Sequence, residues 1–204
     1  MQHNFIIMNQ PNMSEKQSLD IINDMLTNAK EEDAGGSAFY FVLWGIIVMA
    51  FSVLTYYAII TKAAWQPWTY MLFLIGGIAS FIRSRSDDKK EIVKSRYDRL
   101  YMFVWSGVGI CLGLSWGFVA LIGINNILPV SLLFYGLASF ITGGVSRYYP
   151  SLIGSIICFV CVIFAFQTNF VHQNLICAFA VLCVHVVPGL MMNRYYKGKK
   201  RYAE

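Results

Sequence analysis

The chain has 204 residues, of which 57% are hydrophobic and only 13% are charged. A soluble domain has about 45–50% apolar and about 25% charged residues, so this composition argues against a soluble globule. The mean hydropathy of +0.54 points the same way. Apolar runs of about 20 residues, the length that crosses a bilayer, instead predict a multi-span membrane protein. The net charge of +5 lies in clusters close to these runs and therefore does not indicate a nucleic-acid partner.

The chain begins with a polar region. We expect a disordered leader over residues 1–13 and a cytosolic amphipathic helix with its joint to the membrane over 14–36, because apolar residues recur there at helical spacing. The segment carries too many charges to span, and its acidic face does not suit an anchor on anionic lipid. It either packs against the cytosolic ends of the bundle or docks a protein partner. The candidate docking residues are Leu19, Asp20, Ile22, Asp24 and Leu26.

The following domain, residues 37–193, is predicted to be an all-α bundle of six transmembrane helices arranged as three hairpins. The predicted spans cover 38–61, 67–83, 100–123, 127–146, 150–168 and 171–192. Residues 194–204 form a basic cytosolic tail. An even number of spans places both termini on the same side of the membrane.

The distribution of basic residues predicts the orientation, because Lys and Arg near span ends stay in the cytosol. With both termini inside, fifteen of the 16 Lys and Arg residues are cytosolic, and only Lys62 is outside. The largest group lies between the second and third spans and is expected to contact lipid headgroups. It consists of Arg83, Arg85, Lys89, Lys90, Lys94, Arg96 and Arg99.

The third span carries glycines at every fourth position, Gly109, Gly113 and Gly117. Such a face lets another backbone approach closely, which is typical of tightly packed membrane helices. The spacing does not say which helix approaches. We expect packing within the bundle, with a seam between two copies of the chain as the alternative.

The interiors of the spans carry no Asp, Glu, Lys or Arg. Ion-coupled transporters and proton pumps mark their pathways with such groups, so this absence weighs against both. No H-E-x-x-H pattern or comparable set of ligands indicates a metal site, and no motif indicates a cofactor.

One histidine lies within a span: His185, two residues after Cys183 and three before Pro188. A polar ring is costly there unless it is paired. His185 is therefore either a contact for a ligand or a relay for protons, with Cys183 and Pro188 as its neighbours, or a structural residue. In the structural case its ring donates to a carbonyl freed by Pro188, or to a neighbouring Ser or Tyr.

Several short patterns together resemble a known group. They are Ser18-Leu-Asp-Ile-Ile-Asn-Asp-Met25, Leu43-Trp-Gly45, Ile127-Leu-Pro129, Tyr135-Gly136 and Val187-Pro-Gly-Leu190. From Ser14 to Tyr196 the chain resembles small integral membrane proteins of Bacteroidetes-type bacteria. The resemblance implies a bacterial inner membrane and brings no established activity, so no site residue is carried over.

These patterns favour a non-enzymatic membrane protein that acts by binding, as a regulator, sensor or assembly partner. Its expected partners are the lipid bilayer, a protein at the N-terminal helix, and a second copy of the chain. The alternative is a small transporter or channel for a neutral or apolar solute. A lipid enzyme ranks below both, because no carboxylate, metal or nucleophile–base pair can be assembled for it.

Overall fold

The computed structural model describes residues 15–87 and 96–194, with side chains over 38–85 and 99–194. The described residues form helices joined by short turns, with no strand among them, which confirms the expected all-α class. The elements are α1 (Glu15–Ile60), a 3-10 helix (Gln66–Tyr70), α2 (Met71–Asp87), α3 (Arg96–Gly117), α4 (Val119–Ile122), α5 (Ile124–Ser146), α6 (Tyr149–Phe166) and α7 (Phe170–Val181). After α7 the chain continues through a π turn (Leu182–Val186) and stays helical over 187–194.

Five helical segments are long and apolar enough to cross a membrane. They are Ala38–Ile60, Arg99–Gly117, Ile124–Ser146, Tyr149–Phe166 and Phe170–Arg194. They correspond to the first, third, fourth, fifth and sixth predicted spans. The second predicted span, 67–83, forms the 3-10 helix and α2, whose 17 residues make it shorter than any of the five.

Helix α1 corrects the predicted boundary between the N-terminal segment and the first span. The helix runs without a break for 46 residues, straight through the predicted joint at 31–36. Gly35 and Gly36 each weaken a helix by about 1 kcal/mol relative to alanine. Extension of an existing helix adds one hydrogen bond for each residue fixed, and here this outweighs the two glycines. The leader and the docking side chains from Leu19 to Leu26 lie outside the described side chains.

The third span ends earlier than predicted, at Gly117 rather than at residue 123. The backbone leaves the helical conformation at Phe118, with φ −106° and ψ 26°, before the short helix α4. Gly123 then adopts a φ of 87°, which suits a residue without a Cβ, and α5 begins directly after it.

Helices α5, α6 and α7 form the centre of the bundle, with α1 packed along α7. The main core cluster fills this centre; its fully buried members include Ile127, Leu132, Cys158, Val181 and Val184. Helix α3 packs on α5, and α2 packs on α1, where the Trp44 indole donates to Ser80 Oγ at 3.1 Å. The two helices α2 and α3 are thus attached to the outside of the central group.

Candidate binding pocket

His185 lies in the π turn, and Pro188 explains why the turn forms. Proline has no N–H, so it cannot donate to the carbonyl one turn earlier as an α-helix requires. The Val187 N–H donates to the Leu182 oxygen, five residues back, which is the π-helical pattern. Pro188 is therefore a determinant of backbone shape at this site.

The imidazole of His185 is 1% exposed and lies among aromatic rings from three other helices. Its ring centroid is 5.1 Å from that of Phe41 on α1, 5.2 Å from Tyr135 on α5 and 5.3 Å from Trp105 on α3. Gly45 on α1 allows this approach, because a Cβ added there would lie 3.0 Å from His185 Cβ.

The hydrogen bonds expected for a purely structural histidine are not formed within the described part of the chain. Neither ring nitrogen of His185 has a hydrogen-bond partner there, although both are buried. The Tyr148 hydroxyl, for its part, donates to the Pro188 oxygen at 2.8 Å and not to His185. The buried Trp105 Nε1 also has no partner among these residues. A buried donor or acceptor left unpaired costs about 1–3 kcal/mol, so two such rings side by side mark a functional candidate.

Both rings line a cavity of about 230 Å³ between α1 and α3. Tyr135 and His185 also line it, and Gly109 forms part of the α3 wall. Six aromatic side chains surround it: Tyr40, Phe41, Trp44, Tyr101, Trp105 and Tyr135. A small molecule in this cavity would meet mainly the faces and edges of these rings, because the nitrogen atoms of His185 and Trp105 are themselves buried.

The glycines of α3 do not pack as expected. A Cβ added at Gly109, Gly113 or Gly117 would meet no described atom within 4 Å, so the prediction of close packing inside the bundle is wrong. Gly109 instead lines the cavity. The alternative, a seam between two copies, stays a prediction.

Other glycines bring the helices together. A Cβ at Gly154 would overlap the Cys183 oxygen and lie 2.9 Å from Val184 Cα, while one at Gly189 would lie 2.8 Å from the side chain of Val42. This role was not predicted from the sequence. A signal existed on α6, where small residues recur on one face at Ser151, Gly154, Ser155 and Cys158.

Cys183 is half-buried and lies outside the described cavity wall, so the pocket does not bring it together with His185. All five cysteines are free thiols. Cys158 and Cys161 are buried in the core, where Cys158 Sγ lies 3.5 Å from the Leu132 oxygen. These positions suit small apolar side chains.

The predicted headgroup residues are described only in part. The Arg83 guanidinium lies over the Phe39 ring at 5.4 Å, and that of Arg85 lies over the Phe81 ring at 4.8 Å. Arg99 is exposed. The three lysines of this group, Lys89, Lys90 and Lys94, fall outside the described residues, and only the backbone of Arg96 is described.

Comparison with protein-family models, with curated proteins and with solved structures finds no match to this chain. The fold and the pocket therefore define its class: an all-helical bundle with several apolar helices compatible with a membrane, and an aromatic cavity between α1 and α3.

Proposed function

We propose that this chain is a non-enzymatic membrane protein that acts by binding a small molecule in the aromatic pocket. One observation carries the proposal: six aromatic side chains and His185, whose ring nitrogens have no partner among the described residues, line a mostly apolar pocket of about 230 Å³. Concave, mostly apolar pockets with a few convergent polar groups are the usual form of small-molecule sites.

The proposal includes six spans, with both termini in the cytosol of a bacterial inner membrane. Up to Ile82, before the cytosolic arginines, helix α2 supplies about 18 Å at 1.5 Å per residue, and the preceding 3-10 helix adds about 10 Å. Together they come close to the hydrocarbon thickness of about 30 Å, which a short span meets by local thinning of the bilayer. The inner-membrane assignment rests on the likeness to the Bacteroidetes-type group, and the orientation rests on the one-sided distribution of Lys and Arg.

Alkaline phosphatase fusions test this topology, because the enzyme is active only outside the cytosol. Fusions after residues 90 and 147 should be inactive, and fusions after residues 62 and 168 should be active. If α2 does not span, every loop after it lies on the opposite side of the membrane, and the activity of each fusion in those loops reverses. Active fusions at 90 and 147 would therefore overturn the six-span arrangement.

The continuous helix α1 supports a role as a sensor or regulator. Phe41 and Trp44 at the pocket lie on the same helix as Asp20 and Asp24, the predicted docking residues. A ligand that displaces α1 at the pocket would also displace the N-terminal segment. The closely filled core of α5, α6 and α7 favours a binding pocket over a passage through the bundle.

Photolabelling tests whether the pocket admits a small molecule. The probe is phenyl(trifluoromethyl)diazirine, a neutral apolar compound that reacts where it resides, with labelled residues mapped by tandem mass spectrometry. Membranes containing the wild-type chain should give label on His185 and Tyr135, which line the pocket and are only 1% and 9% exposed. Phe103 and Ile110, 68% and 64% exposed, should be labelled from the lipid and serve as internal standards.

The variant Gly109→Leu should remove the label on His185 and keep the label on Phe103, because a leucine there extends into the cavity without meeting another described atom near its Cβ. Gly113→Leu is the matched control, since it lies on the same face and outside the described cavity wall. Absence of label on His185 in the wild type, or equal label in Gly109→Leu, would refute the proposed function.

A further inference from the structure

We infer that the pocket holds one acyl chain of a phospholipid, an inference that rests on the proposed function and names the ligand class of the same site. The lipid belongs to the leaflet whose surface lies at Arg83 and Arg99, which is the cytosolic leaflet in the proposed topology. Three features lead to this ligand: the side on which the pocket opens, the length of its α3 wall, and the positive charge at one end of that wall.

The pocket opens sideways, at a depth where hydrocarbon lies outside. Within the described part of the chain, the backbone of α3 packs closely on α4 and α5 and not on α1 or α2. Gly109 lines the pocket and is exposed, and a Cβ added there would meet no described atom within 4 Å. It lies at the middle of the apolar segment Arg99–Gly117. In a helix that spans the membrane this position is near the bilayer centre, so a lipid chain can enter directly from the bilayer.

The α3 wall of the pocket is a stripe along the helix axis. Its residues recur on one face of α3 and are Tyr101, Trp105, Val108, Gly109 and Leu112. From the first to the last of them the helix rises about 16 Å, at 1.5 Å per residue. One leaflet of a hydrocarbon core of about 30 Å is about 15 Å deep. The stripe therefore matches an extended chain that reaches from the headgroup region to the bilayer centre.

The composition of the wall suits a saturated chain. No Asp, Glu, Lys or Arg is among the described wall residues, so an ionised group would be buried there without a counter-charge. The nitrogen atoms of His185 and Trp105 are buried, so the occupant needs no hydrogen-bonding group. An acyl chain meets these requirements, since it gains only dispersion contacts with the rings and aliphatic side chains around it.

Positive charge lies at the outer end of the stripe. Arg99 is exposed and precedes Tyr101 by two residues on α3. The Arg83 guanidinium lies over the Phe39 ring at 5.4 Å, and Phe41, two residues further along α1, has its ring centroid 6.2 Å from that of Tyr101. Both arginines therefore lie at the same end of the pocket. A lipid whose chain follows the stripe would place its phosphate at this end, where a guanidinium can donate charge-assisted hydrogen bonds to it.

A phospholipid that carries a diazirine in the middle of one acyl chain tests this inference. The chain is reconstituted in vesicles of phosphatidylethanolamine and phosphatidylglycerol with a small fraction of this probe, and labelled residues are mapped by tandem mass spectrometry. In the wild type, label should appear on Phe41 and Val108, which line the pocket and are only 6% and 9% exposed. Label on Phe103 and Ile110, 68% and 64% exposed, reports the surrounding lipid.

The position of the diazirine tests the direction of the chain. A probe with the diazirine next to the ester should favour Phe41 over Val108, because Phe41 lies nearer to the arginine end of the pocket. A probe with the diazirine at the chain end should reverse this ratio. The variant Gly109→Leu fills the opening and should remove most of the label on both residues while the label on Phe103 persists. Gly113→Leu, outside the described wall, is the matched control and should keep all of them.

The outcomes separate the two proposals. If the small diazirine labels His185 but the lipid probe labels only outer residues such as Phe103, the pocket binds a small molecule and the acyl-chain inference is wrong. If the ratio of label on Phe41 and Val108 is the same for both diazirine positions, no chain lies along α3 and the inference also fails. If neither probe reaches the pocket, the proposed function itself fails. These comparisons use the wild type, so a poorly folded Gly109→Leu does not remove the test.

Discussion

The substitution Gly154→Ala tests whether α6 and the π turn are held at backbone contact. The added Cβ would overlap the Cys183 oxygen and lie 2.9 Å from Val184 Cα and 3.1 Å from the Cys183 carbonyl carbon. All three are backbone atoms, so no side chain can rotate away and α6 must shift. Overpacking of this kind costs about 1–3 kcal/mol. The gain in helix propensity from glycine to alanine, about 1 kcal/mol, opposes it.

Gly113→Ala is the control that isolates the packing cost. It makes the same chemical change in a helix, with no described atom within 4 Å of the new Cβ, and therefore carries only the propensity gain. The difference between the two variants should be about 1–3 kcal/mol. That corresponds to roughly 5- to 150-fold in the unfolding equilibrium constant.

Equilibrium unfolding by SDS in mixed micelles, followed by circular dichroism, measures both variants under one condition. Gly154→Ala should unfold at a lower SDS fraction than the wild type, and Gly113→Ala at an equal or higher fraction. If both variants shift equally, α6 does not contact the π turn as the structure has it. The account of the buried His185 turn would then be wrong.

Two further substitutions can be measured by the same unfolding assay. Gln173→Leu should destabilise the fold by about 1–3 kcal/mol, because the buried Gln173 Nε2 lies within 3.0 Å of three backbone carbonyls near the end of α6 and the start of α5. The exposed Gln167→Leu is its control, and an equal effect of both would contradict this account. Arg147→Gly should stabilise by up to about 1 kcal/mol, since Arg147 ends α5 at a φ of 55° that glycine adopts freely. A loss of stability in Arg147→Gly would show that its side chain outweighs the backbone strain.

The predictable part of this fold follows from local sequence. The long apolar runs of the sequence predicted five of the membrane-length helices that the structure contains, because a run of about 20 apolar residues usually forms a membrane-spanning helix. Pro150 in the first turn of α6 and the sharp end of α5 at Arg147 are also local features. The continuity of α1 through Gly35 and Gly36 was not predicted, because the low helix propensity of two glycines was considered alone. The helical segments on both sides, which extend through them, were left out of account.

The pocket could be predicted only in part, because packing order is not a local property. His185 was found since a polar residue near a proline stands out in an apolar run. Its neighbours Phe41, Trp105 and Tyr135 come from three other helices, and periodicity places a residue on a face without naming the opposite helix. The glycine face of α3 was misassigned for the same reason. Because glycine has no side chain, a row of glycines allows another helix to approach closely, but it equally leaves space for a cavity, as beside Gly109.

Glycines on the two helices that contact the π turn bear on how a ligand enters. Gly45 brings α1 against His185, and Gly154 brings α6 against Cys183 and Val184, so both helices contact the π turn closely. Helix α3 forms another wall of the pocket, and only 6% of its apolar stretch is buried, against 39–61% for the other four membrane-length segments. A wall with so few buried contacts is the part of a structure that opens at the lowest free energy. Motion of α3 away from α1 would therefore widen the pocket, which is already partly open, while the π turn stays in place.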